Sequence, residues 1–161
     1  MAARSSLGFN IVTGPEWVRV IEALGRVDRE LPGRLKRSLK DDAEDLADVA
    51  RGRVLGLPTP RNAGHTGLRA KVAKGVHVED RGEGGIRVVA EMKQPNESYI
   101  PRGLDTVKGW RHPLFGDKSR WFSNPGYDWF LSTFEQGEKK FESGLDRVLA
   151  RAADEIADAA S

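Results

Sequence analysis

Apolar residues recur at three- and four-residue spacing near both ends of this chain, and that periodicity constrains the fold more than any other feature. At the N-terminal end the stripe runs through Trp17, Val20, Ile21, Leu24 and Val27, pauses at Pro32-Gly33, and resumes as Leu35, Leu39, Ala43, Leu46, Val49, Ala50 and Val54. Such spacing lines one face of an α-helix. It predicts two helices, or one long helix kinked at Pro32, over 14–55. Pro15 suits the first turn, and Gly56-Leu57-Pro58-Thr59-Pro60 ends the run. At the C-terminal end Phe130, Phe134, Phe141, Leu145, Val148, Leu149, Ala152 and Ile156 share a face. They predict a helix over 127–160, led in by Asn124-Pro125-Gly126, with Asp128 helping to cap it. Gly137 and Gly144 each weaken that helix by about 1 kcal/mol relative to alanine, and it has a natural restart after Gly137.

Between the stripes the pattern changes. Residues 1–13 read as an arm or a short strand, with partial alternation in LGFNIVT (7–13). The 61–92 segment reads as a basic stretch followed by a β-hairpin. Thr66-Gly67-Leu68-Arg69 starts a helical turn, and strands at 76–79 and 86–92 are joined by the glycine-rich Arg81-Gly82-Glu83-Gly84-Gly85. The β-branched Val88 and Val89 favour the second strand. The expected fold class is therefore α+β in a single domain over 1–161. A small antiparallel sheet is packed by a long N-terminal helix and a C-terminal amphipathic helix.

The 93–126 segment shows neither period. It holds Tyr99, Pro101, Trp110, Pro113, Phe115, Trp121, Phe122 and Pro125, and is expected to be a long connecting loop. Loops of this length inside a compact domain are usually functional or disordered, and its aromatics argue against disorder. Trp110 and Trp121 lie near Arg111 and Arg120, and Trp, Tyr and Arg are the residues that anchor protein interfaces. An interface over Tyr99, Arg102, Trp110, Arg111, His112, Pro113, Leu114, Phe115 and Trp121 is expected. Base stacking by the same aromatics is the competing use.

Hydrophobic residues make up 39% of the chain and charged residues 31%, a thin core with much surface or interface. The formal net charge is only +2, too small to imply a nucleic-acid partner by itself. The charges are unevenly spread. Residues 41–48 carry five acids, whereas 51–81 carry seven Lys or Arg and two acids. Asp41, Asp42, Glu44, Asp45 and Asp48 interleave with the helical stripe as a solvated or ion-pairing face. Arg61, Arg69, Lys71 and Lys74 are candidates to face DNA.

The chain has no cysteine, which removes disulfides, thiolate metal sites and thiol catalysis. His65, His77 and His112 stand at no metal-ligand spacing, and neither a GxSxG elbow nor a phosphate-binding GxxxxGK[ST] occurs. Gly82-Glu83-Gly84-Gly85 lies between two strands, so the helix N-terminus that binds phosphate is absent. The reading is non-enzymatic, with no cofactor and no metal. MAARSSLGFNIVTG lacks a signal peptide's apolar run, and no stretch approaches the ~18 apolar residues of a membrane span. The expectation is a protein made in a cytoplasm, with no membrane partner.

The order of these elements resembles a family of small tail-completion, or neck, proteins of long-tailed bacteriophages. An N-terminal helix runs into a Pro/Gly segment and then His65-Thr66-Gly67-Leu68-Arg69, where members commonly carry a [D/H]-T-G-x-L/x-R pattern before the first strand. LDTVKGWRHPLFG (104–116) follows the strand pair, with Trp121 soon after. Members from phages of actinobacteria are similar there, with an Arg-His-Pro-hydrophobic-Phe-Gly run. Tyr127-Asp128-Trp129-Phe130 then opens the C-terminal helix. The likeness spans roughly residues 15 to 160 and rests on order and spacing. Where the family often has a Tyr-Ala-x-x-x-Glu-x-Gly segment, Tyr99-Ile100-Pro101-Arg102-Gly103 is a loose counterpart.

The resemblance implies an α+β fold and a structural virion protein of the head–tail junction. It implies a homo-oligomeric ring, hexamer or dodecamer, that joins tail to head around the DNA exit path. Adjacent head-closure, tail-terminator or tail-tube proteins are the implied partners, with the packaged DNA as a non-specific one. The alternative from the residues is a nucleic-acid-binding module using the basic 51–81 segment and the arginines of 93–126. An enzyme, such as a nuclease or toxin-like hydrolase, finds no catalytic spacing to support it.

Overall fold

The computed structural model describes residues 6–58, 67–114 and 116–159. Strand β1 (Leu7–Val12) leads into helix α1 (Gly14–Val27) and helix α2 (Leu31–Leu55). Helix α3 (Leu68–Lys74), β2 (Val76–Asp80) and β3 (Ile86–Ala90) follow. A short helix α4 (Ile100–Leu104), a hairpin of β4 (Trp110–Leu114) and β5 (Asp117–Asn124), and helix α5 (Leu131–Ala159) complete the chain. The class is α+β, with a three-stranded antiparallel sheet ordered β1-β3-β2 and a separate two-stranded sheet, β4-β5.

The N-terminal helical region is two helices, and the break precedes Pro32. Asp28 leaves α1 in an extended conformation and its Oδ1 accepts the Glu30 N–H at 2.8 Å. Pro32 sits in the first turn of α2, where its missing N–H costs nothing because that donor has no helical partner anyway. The α1 stripe is only partly used: Trp17 is buried, while Val20 and Val27 stay 44% and 64% exposed.

Helix α2 is the centre of the molecule. Leu35, Leu39, Ala43, Ala47, Ala50 and Val54 are buried, whereas Val49, placed on the same stripe by its spacing, is exposed. Strand β3 is the central strand, and Ile86, Val88, Val89 and Ala90 are all buried. Val88 pairs with Phe9 on one side and with Val78 on the other. Arg51 ties the sheet to α2 by donating to the Val76 carbonyl from Nε and Nη2 at 3.1 and 2.7 Å.

Helix α5 runs unbroken through Gly137 and Gly144, contrary to the expected restart. Both glycines are buried against α2. A Cβ at Gly137 would collide with the Leu46 methyls, and one at Gly144 with Asp42 Oδ2. The propensity lost at each glycine is offset by a close helix–helix approach at Leu46 and Asp42. Polar clasps run antiparallel along the seam: Arg34 to Glu155, Asp45 to Lys140 at 2.5 Å, and Arg53 to Ser132 and Gln136 at 3.1 and 2.7 Å.

Part of the acidic face of α2 is paired within the chain. Glu44 and Asp48 pair with Arg51. Asp42 is buried, not solvated. Burial pushes its carboxyl above the ordinary value of 3.8, against the pull of Lys140 and Arg147, and the charges of Asp45 and Asp41 push it further up.

Candidate interaction surface

The 93–126 segment, expected as a loop, is built instead from a 3-10 turn at Pro95–Glu97, helix α4 and the β4–β5 hairpin. Ile100, Pro101, Gly103 and Leu104 of α4 are buried, which joins the segment to the core. At its end stands Asp105, buried, whose Oδ1 accepts the backbone N–H groups of Trp129 at 2.9 Å and Phe130 at 2.6 Å. Its Oδ2 accepts that of Leu131 at 3.4 Å. Asp105 thus caps α5 from 24 residues upstream, supplying an acceptor to donors that have none within the helix. Burial pushes its carboxyl up, the three N–H groups pull it down, and the nearby charge of Asp128 adds to the rise. Asp128 contributes the expected local cap as well, accepting from Ser132 N–H at 3.3 Å.

The root of the hairpin is clamped. Tyr127 N–H donates to the Leu104 carbonyl at 3.2 Å. A Cβ at Gly126 would collide with the Thr106 carbonyl, so only glycine lets these two backbones cross. Beyond the root, β4 and β5 pair with each other in the register Trp110↔Asn124, His112↔Phe122 and Pro113↔Trp121. Period-2 alternation then gives the hairpin two faces.

The inner face is aromatic and packed within the chain. Trp110 lies over Gly103, where a Cβ would overlap its ring. Tyr99 meets Trp110 edge-on with centroids 5.6 Å apart, Trp110 stacks on His112 at 4.1 Å, and His112 meets Phe122 at 5.9 Å. His112 Nδ1 is 3.2 Å from the Pro113 carbonyl and its Nε2 is 3.1 Å from Asn124 Nδ2. The Nδ1–H tautomer serves both contacts, donating to the carbonyl and accepting from the amide. Trp110 and His112, expected at a subunit interface, are therefore engaged inside their own chain.

The outer face carries Arg111, Pro113 and Trp121. The Arg111 guanidinium sits 5.1 Å from the centre of the Trp121 ring, a cation–π contact. Trp121 Nε1–H donates to the Lys118 carbonyl at 2.9 Å, which fixes the indole while half of it remains exposed. Asp117 Oδ1 accepts from the Ser119 N–H at 2.9 Å and its hydroxyl at 2.6 Å. These bonds, the hydroxyl's first, hold the Asp117 carboxyl below its ordinary range. Lys108, Arg111, Lys118 and Arg120 are exposed, and none forms an ion pair among the described residues.

The other residues singled out in the sequence disperse. Arg102 is exposed on α4, and Leu114 ends β4. Arg61 and Phe115 lie outside the described residues, as does His65. Arg69, Lys71 and Lys74 fall on α3 without forming a common face, since Arg69 lies about 140° around the helix from Lys74 and about 160° from Lys71. Arg69 donates to the Pro58 carbonyl and Lys71 pairs with Glu97 at 3.0 Å, so two of these cations already have work within the chain. The packing role of Phe122, the cap at Asp105 and the division of the hairpin into two faces are the features that residue-by-residue reading missed. The alternation of WRHPL and DKSRWFSN on either side of Phe115-Gly116 carried the signal for the first and last.

Among the described residues no group of three or more His, Asp or Glu side chains is placed to hold a metal ion, and no helix is long and apolar enough to cross a membrane. No family model matches the chain, and no curated protein or solved structure matches it either.

Proposed function

We propose that this chain is a structural, non-catalytic subunit of a tailed-bacteriophage particle. It acts at the head–tail junction as part of a ring that joins tail to head around the DNA exit path. The reading rests on the order of motifs that resembles tail-completion proteins. The observation that carries it in the fold is the β4–β5 hairpin: it is clamped at its root, apolar on the face turned to its own body, and cationic and aromatic on the other. A two-stranded hairpin is marginal alone. One held rigid with an exposed Trp–Arg pair is suited to contact a neighbour, because such residues anchor interfaces. The neighbours are further copies of the chain and the adjoining head-closure, tail-terminator or tail-tube proteins, with packaged DNA as a non-specific contact.

Labelled antibody against the chain, imaged on purified particles, tests this. The expected result is label at the neck in every particle. Absence of the chain from purified particles by mass spectrometry would overturn the reading.

The unpaired cations of the hairpin also favour a second reading, a nucleic-acid-binding module. Binding to phosphates weakens steeply with salt, so duplex binding by the isolated chain that falls on the order of a hundredfold between 50 and 200 mM salt, as for about four phosphate contacts, supports that reading.

A further inference from the structure

A groove of about 570 Å³ opens between β1, α1, α2 and α5. Its walls include Phe9, Ile11, Trp17, Val20, Phe141 and Leu145, and its only charged lining residues are Glu16, Glu138 and Glu142. None of these three carboxylates forms an ion pair among the described residues. The chain therefore carries an apolar groove with an acidic rim, and elsewhere an aromatic hairpin with a basic rim. Each lacks what the other offers.

We propose that the outer face of the β4–β5 hairpin seats in this groove on a second copy of the same chain. The proposal rests on the ring-forming reading above and names the contact that would build the ring. Trp121 supplies the apolar anchor, of the roughly 150–250 Å² an aromatic side chain can bury. Arg111, held beside Trp121, meets the three carboxylates, and the exposed Lys118 and Arg120 add long-range attraction that steers the encounter. Among the described residues, none of the hairpin lines the groove of its own chain. Pro113 removes a donor from β4, so side chains rather than an added strand carry the contact. Hairpin and groove are different surfaces, so the contact is heterologous: it repeats from copy to copy and closes into a ring when the rotation allows.

The test compares three proteins by sedimentation velocity across concentration and salt: the full chain, a hairpin variant (Arg111→Ala with Trp121→Ala), and a groove variant (Glu138→Lys with Glu142→Lys). Arg111, Glu138 and Glu142 are exposed and Trp121 is half-exposed, so circular dichroism serves to verify that both variants fold. The expected result is self-association of the full chain that weakens with salt. Each variant alone should associate at least about thirtyfold more weakly, the loss of one hot spot. Mixed one to one, the variants should form a dimer and stop, because each retains the surface the other has lost. A mixture that stays monomeric, or a groove variant that associates like the full chain, overturns the proposal. So does a hairpin variant that loses binding to a 20-base-pair duplex while its self-association is unchanged, which assigns the hairpin to DNA. A full chain that is monomeric up to millimolar concentration overturns this contact too, yet leaves the location of the chain in particles as a separate result that decides the broader reading.

Discussion

Arg34, Arg53 and Lys140 along the α2–α5 seam each hold a partner in the opposite helix, and even Gly137 and Gly144 are fitted to the side chains they face. Arg111, Lys118 and Arg120 on the hairpin, and Lys108 just before it, form no ion pair among the described residues, and Trp121 is left half-exposed beside Arg111. Both regions are rich in charge, so composition does not separate them. What separates them is whether each polar group is answered from within. A side chain that is answered contributes to stability, and its removal is felt by the fold. A side chain that is unanswered and yet held in place is available to something else.

Asp105 lies where the two regions meet, and its loss gives the largest expected effect. Asp105→Ala strips a buried acceptor from three backbone N–H groups and is expected to destabilise the chain by about 3 kcal/mol in urea unfolding. A change below about 1 kcal/mol would mean that α5 does not depend on this cap. Next comes a direct contrast between the hairpin's faces. Trp110→Ala, on the packed face, should cost about 2 kcal/mol, below the full loss of a buried tryptophan because Trp110 is only partly buried. Trp121→Ala, on the outer face, should cost under about 1 kcal/mol, the worth of an exposed cation–π contact. Equal losses in thermal or chemical unfolding would erase the distinction between the faces. Gly137→Ala follows at about 1 kcal/mol destabilising. Overpacking against Leu46 costs about 1–3 kcal/mol, and alanine's helix propensity returns about 1. A more stable Gly137→Ala variant would show that the seam has slack.

The smallest effect is one of pH. Burial raises the Asp42 carboxyl above 3.8 in the folded chain, so the folded state holds that proton more tightly than the unfolded state does. The contribution of this group to stability is then fully present below pH 3.8 and is lost as pH rises through its raised native value. Asp42→Asn does not titrate there. Measured by thermal unfolding from pH 3 to 7, wild type should lose ground to Asp42→Asn as pH rises. Wild type gaining on the variant over that range would reverse the sign and assign Lys140 the dominant influence on Asp42.

The same contrast explains what could be read from the sequence. Helices α1, α2 and α5 and the β1-β3-β2 sheet follow from periods that lie within a dozen residues, and their stripes bury Leu35, Val54, Val88 and Phe134. The meaning of Gly137 and Gly144 inverted, because a glycine's cost is local whereas its use here lies on a helix 95 residues away, as the pairing of Lys140 with Asp45 marks. Strands β4 and β5 were hidden by Pro113 and by glycines at both ends, although Gly109 and Gly116 take the positive φ of 82° that frames such a turn. Asp105 gave no sign at all, since nothing near it in sequence shows that its partners are the N–H groups of 129–131. The outer face of the hairpin was legible in residue type, Trp and Arg side by side, but the division between a packed and an open face required the register.

The clamp formed by Asp105 and Gly126 also bears on how freely this region can vary. The chain departs from the body after Asp105 and comes back to it at Trp129, within hydrogen-bonding distance of where it left. Everything between is an excursion whose two ends are already joined. Lengthening such an excursion costs only the entropy of a longer closed loop, about 0.6 kcal/mol for each doubling, and the core beneath is not asked to move. The tip beyond His112 and Phe122 is thus a replaceable module. Its length and charge can be retuned to a different neighbour while α2, α5 and the three-stranded sheet stay as they are.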